Sequence, residues 1–352
     1  MTQLRRTTIT RVILVAALVA FLPLAIGAQS GTPKPIALDD YATFKRMTGS
    51  SISADGTWML YTVTPNEGDA SLFVKSLDGD TAYDVVRGTG ASFSDNGRWV
   101  GYFIDPPAET GRGRRGAGGR GGTPPAPAAG TAAGSESAPA RTFELLDLSN
   151  GTKTPFPSVG SFEFSPDGEW LLIRPRSAQA APAASGTAGR GGRGSAGGGA
   201  GGGDDSGPGA DLLMRHLATG SQRYIGKVGS YAFDDTGNLL AYTVRGDQRL
   251  GNGVYLMALA SGEQQTLNAA EADYSQLTWS EEGTHLAVLR GDKPKGKVQR
   301  QNVILSWRNA GAPDMQAATF DPAKAATFPK DMVISEFTAP HWNPDGSRLL
   351  VG

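Results

Sequence analysis

The chain's three imidazoles are His216, His285 and His341, and it has no cysteine. Without a thiol there is no disulfide, no zinc–thiolate centre and no cysteine nucleophile. The cysteine that bacterial lipoprotein anchoring requires is missing as well. Each histidine lies on or beside an apolar run, one per repeat, with no metal-ligand spacing among them. They read as strand or surface residues. Asp204, Asp205 and Asp211 gather carboxylates, but the intervening Ser-Gly-Pro-Gly-Ala does not follow the ligand spacing of an EF-hand loop. Gly111-Arg112-Gly113-Arg114-Arg115-Gly116 fits G-x-G-x-x-G. It follows Pro106-Pro107 and has no helix behind it, so the strand–turn–helix context of a dinucleotide site is absent. Its arginine–glycine character would suit RNA, but the export signal argues against that partner and favours a solvated loop. No G-x-S-x-G occurs, and the near miss Arg193-Gly-Ser-Ala-Gly197 lacks the first glycine. No catalytic, cofactor-binding or metal-ligating residue is therefore assigned, and no cofactor is expected.

The elements that would have to position any such chemistry are clearer than the chemistry itself. At Ser161–Pro175 an alternating apolar run enters a Ser165-Pro166-Asp167-Gly168 corner, and a second apolar run leaves it. Proline presets φ at the second turn position, and glycine takes the φ > 0 position that closes the turn. Two β-rich runs joined this way predict a β-hairpin. The pattern recurs at Ser51–Val63, Ser92–Ile104, Tyr231–Val244, Leu277–Gly291 and His341–Gly352. The corner glycines are Gly56, Gly97, Gly168, Gly237, Gly283 and Gly346. Five hairpins are followed by a third apolar run, at Ser71–Leu77, Thr142–Leu148, Asp211–Leu217, Gly253–Leu259 and Gln301–Trp307. A fourth run follows each. Four short strands per unit predict an all-β chain, a β-propeller of four-stranded blades, with five full blades and half of a sixth. Trp58, Trp99 and Trp170 stand two residues after a corner glycine, whereas Trp279 and Trp342 stand just before a corner, a packing signature between blades.

Corner-to-corner spacing is 41 residues from Gly56 to Gly97 and 46 from Gly237 to Gly283, close to one blade. It is 71 and 69 across the two insertions, 105–141 and 178–210. These hold 22 of the 49 glycines, and they lack the apolar residues that would offset ordering entropy, so disorder is expected. Both fall between the second and third strands of a blade, as does Asp292–Arg300 in the fifth. The chain stops within the second strand of its sixth hairpin, which predicts that it is the N-terminal part of a longer protein.

Residues 1–28 predict a signal peptide. Arg5, Arg6 and Arg11 precede the apolar Val12–Leu22, and the small residues up to Ala28 predict cleavage after Ala28. An uncleaved anchor is the alternative, with 12–28 at the short limit for a span. Losing three arginines and no acid takes the formal net charge from −1 to −4. Such a protein is expected to be periplasmic or extracellular, free of the membrane once cleaved, and no binder of nucleic acid. Residues 29–49 predict an arm with a short helix, Ala37–Met47, N-capped by Asp39. The propeller is expected over 50–352.

Several stretches together resemble the propeller of secreted bacterial prolyl oligopeptidase-family (dipeptidyl peptidase-like) serine peptidases. They are Leu38-Asp-Asp-Tyr41, Ser92–Tyr102, Phe162–Trp170, Gly251–Leu256 and above all Tyr231–Gly291. The similarity spans roughly 37–352 outside the insertions. The resemblance implies a propeller capping an α/β-hydrolase domain that carries Ser, Asp and His, with the propeller admitting peptides and excluding folded proteins. None of those catalytic residues matches a position here, and the acidic motif with which the dipeptidyl-peptidase branch holds a substrate amino terminus is not placed. The expected function is the substrate-gating propeller of an exported serine peptidase, inactive alone, with peptides as partners through the hydrolase domain. The alternative is a non-enzymatic TolB-like envelope propeller that binds a protein.

Overall fold

A computed structural model describes residues 37, 40, 41, 44–107, 141–176, 209–292 and 300–352. The chain divides into two units, 1–44 and 45–352. In the first, the described residues form a single 3-10 turn at Asp40–Tyr41, where Asp40 Oδ2 accepts the Ala37 N–H at 2.9 Å. The signal segment, its expected cleavage after Ala28, the Gly111–Gly116 motif and nearly all of both insertions lie outside the described residues.

The second unit is built of antiparallel strands. The first sheet holds β1 (Lys45–Ile52), β2 (Trp58–Pro65), β3 (Ser71–Ser76) and β4 (Ala82–Val86), in that order. The second holds β5 (Gly88–Phe93), β6 (Trp99–Ile104), β7 (Thr142–Asp147) and β8 (Thr152–Phe156). The third comprises β9 (Val159–Phe164), β10 (Trp170–Pro175), β11 (Ala210–His216) and the first half of β12 (Gln222–Phe233). The second half of β12 opens the fourth, with β13 (Leu239–Val244), β14 (Gly253–Ala258) and β15 (Gln264–Ala269). The fifth holds β16 (Asp273–Trp279), β17 (Leu286–Asp292), β18 (Gln301–Arg308) and β19 (Gln316–Phe320). A sixth hairpin pairs β20 (His341–Trp342) with β21 (Leu349–Leu350). The fold is all-β and β-propeller-like, with five four-stranded units and half of another.

The corners repeat down to individual hydrogen bonds. In every hairpin the corner glycine N–H donates to the carbonyl three residues earlier, as in Gly168 to Ser165 at 2.8 Å and Gly346 to Asn343 at 2.9 Å. The side chain opening the corner also accepts the N–H five residues on. Ser53, Ser94, Ser165 and Ser280 do this with a hydroxyl, Asp234 and Asn343 with Oδ1, at 2.7–3.0 Å. This is why only small oxygen-bearing residues stand there.

Adjacent sheets pack front on back. In the second to fifth sheets the third and fifth residues after the corner glycine face the preceding sheet, and the fourth faces the following one. Leu60, Leu72 and Val74 of the first sheet thus meet Val100 and Tyr102 of the second. Phe103, Phe143 and Leu145 meet Leu171 and Ile173. Leu172, Leu212 and Met214 meet Leu240 and Tyr242. Ala241, Val254 and Leu256 meet Leu286 and Val288. Leu289 and Ile304 of the fifth sheet meet Ile334 and Leu349. Each fully buried Leu or Val stabilises its interface by about 1.5–3 kcal/mol.

Two details depart from expectation. The helix predicted over Ala37–Met47 does not extend to Met47: Lys45–Met47 belongs to β1, where Met47 pairs with Val63. Ladder pairing and the apolar row it completes override a helical spacing only eleven residues long. Likewise β1 starts at Lys45 rather than 50. In addition, β12 is one continuous strand of 12 residues that serves two sheets, joining the third and fourth into a seven-stranded array.

Candidate functional site

Each sheet has two ends. The corners and the turns between third and fourth strands lie at one. At the other lie the connections from second to third strand and the crossovers into the next sheet. The corner end is committed to architecture. A Cβ on Gly168 would stand 2.7 Å from the Asn96 nitrogen, and one on Gly237 2.8 Å from the Asp167 nitrogen, so each corner nests on the one before. Asn96 Nδ2 donates to the Gly168 carbonyl at 2.7 Å across that seam.

Charge collects at the opposite end in one register. Seven residues before each corner stand Arg46, Arg87, Ser158, Lys227, Asp273 and Glu336. Four of these pair with an opposite charge on a second-to-third-strand connection. Arg87 lies 3.4 Å from Asp69, and Lys227 2.5 Å from Asp247. Asp273 Oδ2 receives Arg249 Nη2 at 2.9 Å and Arg300 Nη2 at 3.7 Å, and Arg300 Nε reaches Glu336 at 3.2 Å. Arg249 Nη1 also holds Asp292 at 2.7 Å. Asp273, Arg300 and Glu336 are largely buried, which makes this relay the most desolvated group of charges at that end.

The loop that carries Arg249 is braced from several sides. Gln248 and Arg249 are consecutive non-glycine residues with φ of 56° and 62°, a conformation costing about 1–3 kcal/mol each. Asn252 Oδ1 accepts the Gly246 N–H at 2.7 Å, while its Nδ2 donates to the Ala272 carbonyl at 2.8 Å. Asn302 Nδ2 repeats the second contact one sheet later, on Ile334. Leu250, at the tip, stays exposed.

Deeper in the sheets, burial and then the Glu144 bond push the Tyr102 phenol above its ordinary range; its O–H donates to Glu144 at 2.7 Å. Burial and then the Glu163 charge raise Tyr231 likewise. Burial alone would raise Asp147, but hydrogen bonds from Arg98 and Ser149 outweigh it and hold the carboxyl below the usual range.

The histidines are not brought together. His216 Nδ1 accepts the Thr219 N–H, with the ring edge-on to Trp170. His285 Nδ1 accepts the Asn309 N–H, and His341 is exposed on β20. Asp211 accepts the Lys227 N–H, while Asp204 and Asp205 lie outside the described residues. Among the described residues no group of three His, Asp or Glu could hold a metal ion, and no helix is long and apolar enough to cross a membrane. Trp58, Trp99, Trp170, Trp279 and Trp307 pack in or against the clusters between sheets, and Trp342 lies against the His285 ring. The Arg249–Asp273–Arg300–Glu336 relay escaped the sequence reading. Its signal was available as charges at a fixed distance before five of the six corners.

No family model matches the sequence, and no curated protein matches it. Solved structures do. TolB from Acinetobacter baumannii aligns at 12% identity and TM-score 0.31, over 76% of this chain and 53% of TolB. The β-propeller domain of the Trilobed protease from Pyrococcus furiosus aligns at 9% and 0.38, over 85% and 76%. Pyrococcus horikoshii acylaminoacyl peptidase aligns at 10% and 0.35, over 79% and 39%. The chain thus spans about half the length of TolB and less of the acylaminoacyl peptidase. Its structural neighbours include the β-propeller domain of a protease and a peptidase as well as TolB.

Proposed function

We propose that the chain is the substrate-gating propeller portion of an exported serine peptidase that hydrolyses peptides by acyl transfer, with the catalytic domain outside residues 1–352. The observation that carries this reading is the division of labour between the two ends of the sheets. The corners are given over to packing. The opposite end receives both long insertions, at the same place in the repeat as the ion-paired loops around Arg249 and Arg300. A scaffold of that kind offers one end to a second domain, and binding loops on a rigid β framework are the usual way to build a selective entrance. The resemblance of Tyr231–Gly291 to the peptidase propellers and the export pattern of residues 1–28 supply the rest.

The test is the sequence that follows Gly352 in the gene. An α/β-hydrolase domain with G-x-S-x-G, then Asp and His, is expected. The longer protein should cleave short peptides, spare folded proteins and be silenced by a serine-directed reagent, while residues 29–352 alone turn over nothing. A stop after one more blade would leave the TolB-like, protein-binding alternative in possession.

A further inference from the structure

The outer strand of a sheet has one edge paired and the other open, and an open edge invites a further strand unless something blocks it. Four of the five outer strands carry such a block. Asp84 stands midway along β4, and β8 holds Lys153 and Pro155. The first half of β12 carries Arg223 and Lys227, and its pairing with β11 is broken between Ala210 and Leu212. The pairing of β15 with β14 is broken between Val254 and Tyr255. Charges, prolines and bulges are the usual means of keeping an edge from pairing.

Strand β19 has none of them. Gln316-Ala-Ala-Thr-Phe320 contains no charge and no proline, and it follows β18 without a shift, from Arg308 with Gln316 to Ile304 with Phe320. It ends the strand order of the fifth sheet, and every one of its residues is exposed. Among the described residues no other outer strand is exposed throughout. The charges stand just outside it. Asp314 precedes the strand and Lys324 follows it, both exposed. A parallel neighbour of the same sequence would set acid beside acid and base beside base. An antiparallel one sets Asp314 of each copy toward Lys324 of the other. Centred on Ala318, that pairing puts Gln316 opposite Phe320, Ala317 opposite Thr319 and Ala318 opposite itself, so no charge and no large ring meets its like. Phe320, 40% exposed with its ring against Phe328, gains a glutamine stem to pack on.

We propose that the open edge of β19 is a self-association surface, where two copies of the chain pair antiparallel about Ala318 and join their fifth sheets into one. Both copies use the same patch, as a two-fold interface requires. The inference depends on the edge alone and stands apart from the peptidase reading.

Sedimentation of the purified chain tests it. An edge this short makes a small interface, so half-association is expected near about 10–100 µM. Ala318→Lys and Ala318→Glu each set like charges face to face at the axis and should weaken association about fivefold. Mixed in equal amounts, the two variants should associate at least as tightly as the parent chain does, because unlike charges then face each other. Ala82→Lys, on the edge of β4, should change nothing. Amide exchange supplies a second readout. Exchange over 316–320 should slow as the parent chain is concentrated and stay fast in Ala318→Lys, while β17 and β18 remain protected in both, which shows that the variant is folded. A chain that stays monomeric to about 1 mM overturns the proposal, as does a dimer that Ala318→Lys leaves intact. Variants that dissociate alone and fail to associate when mixed overturn the pairing about Ala318.

Discussion

Glycine at a corner answers two separate demands, and two positions separate them. Gly56 and Gly168 have φ of 74° and 69°, so alanine at either costs about 1–2 kcal/mol for the left-handed backbone. Around Gly56 nothing lies within 4 Å of a new Cβ, whereas at Gly168 the Asn96 backbone stands in its place. Gly168→Ala should therefore lose about 1–3 kcal/mol more than Gly56→Ala in urea denaturation, from overpacking. Equal losses would show that the seam between corners yields freely. Asp147 offers a pH readout. Arg98 Nη2 meets its Oδ2 at 2.9 Å, and Ser149 adds two further bonds. Its folded pKa lies below the unfolded value, so the stabilisation is complete above the unfolded carboxyl pKa and vanishes as pH falls through the folded one. Asp147→Asn should cost about 1–2 kcal/mol at neutral pH, with the gap to the parent protein closing in acid. A pH-independent gap would assign the loss to packing. The glycines were legible in the sequence because turn chemistry is local. The Asn96 contact was not, since it joins residues 72 apart.

Hairpins were the most readable elements, for the same reason. The residue that opens each corner could be foreseen as a turn former, and its acceptor role fixes which replacements work. Ser165→Ala orphans the Trp170 N–H and should cost about 1–2 kcal/mol. Ser165→Asn should recover most of that, because Asn343 does the same task in the sixth corner; failure of both variants alike would refute the shared role. The helix over Ala37–Met47 misled because Met47, the last residue of its apolar spacing, falls in β1, where pairing with β2 fixes the backbone. The loop at 246–252 was illegible for a different reason. Arg249, Asp273, Arg300 and Glu336 are scattered over nearly ninety residues and meet only because successive sheets bring their crossovers together. Asp273→Asn should loosen that loop, seen as faster amide exchange at 247–251, with global stability changed by less than about 1 kcal/mol since the Arg249 pairs are partly exposed. Unchanged exchange would mean that Asn252 holds the loop without the charges.

At the scale of the molecule, periodicity carried the reading. Six marks along the chain set out the number of units and their strand order, and residues between the marks supplied the interfaces. Which strand continues into which was beyond it: Arg87, Ser158 and Lys227 all stand at crossovers with positive φ, yet only at Lys227 does the strand run on, as β12. That strand gives the array an uneven grain. Elsewhere neighbouring sheets are held by side-chain packing and isolated bonds, interactions that shear apart one unit at a time in a repeat structure. Between the third and fourth sheets the strand runs on without a break, and Val228 pairs with both Ala210 and Val244, so the two ladders meet at one residue. Pulled from its ends, the protein should not yield in five equal steps: the central pair should rupture together, as a single larger extension at higher force.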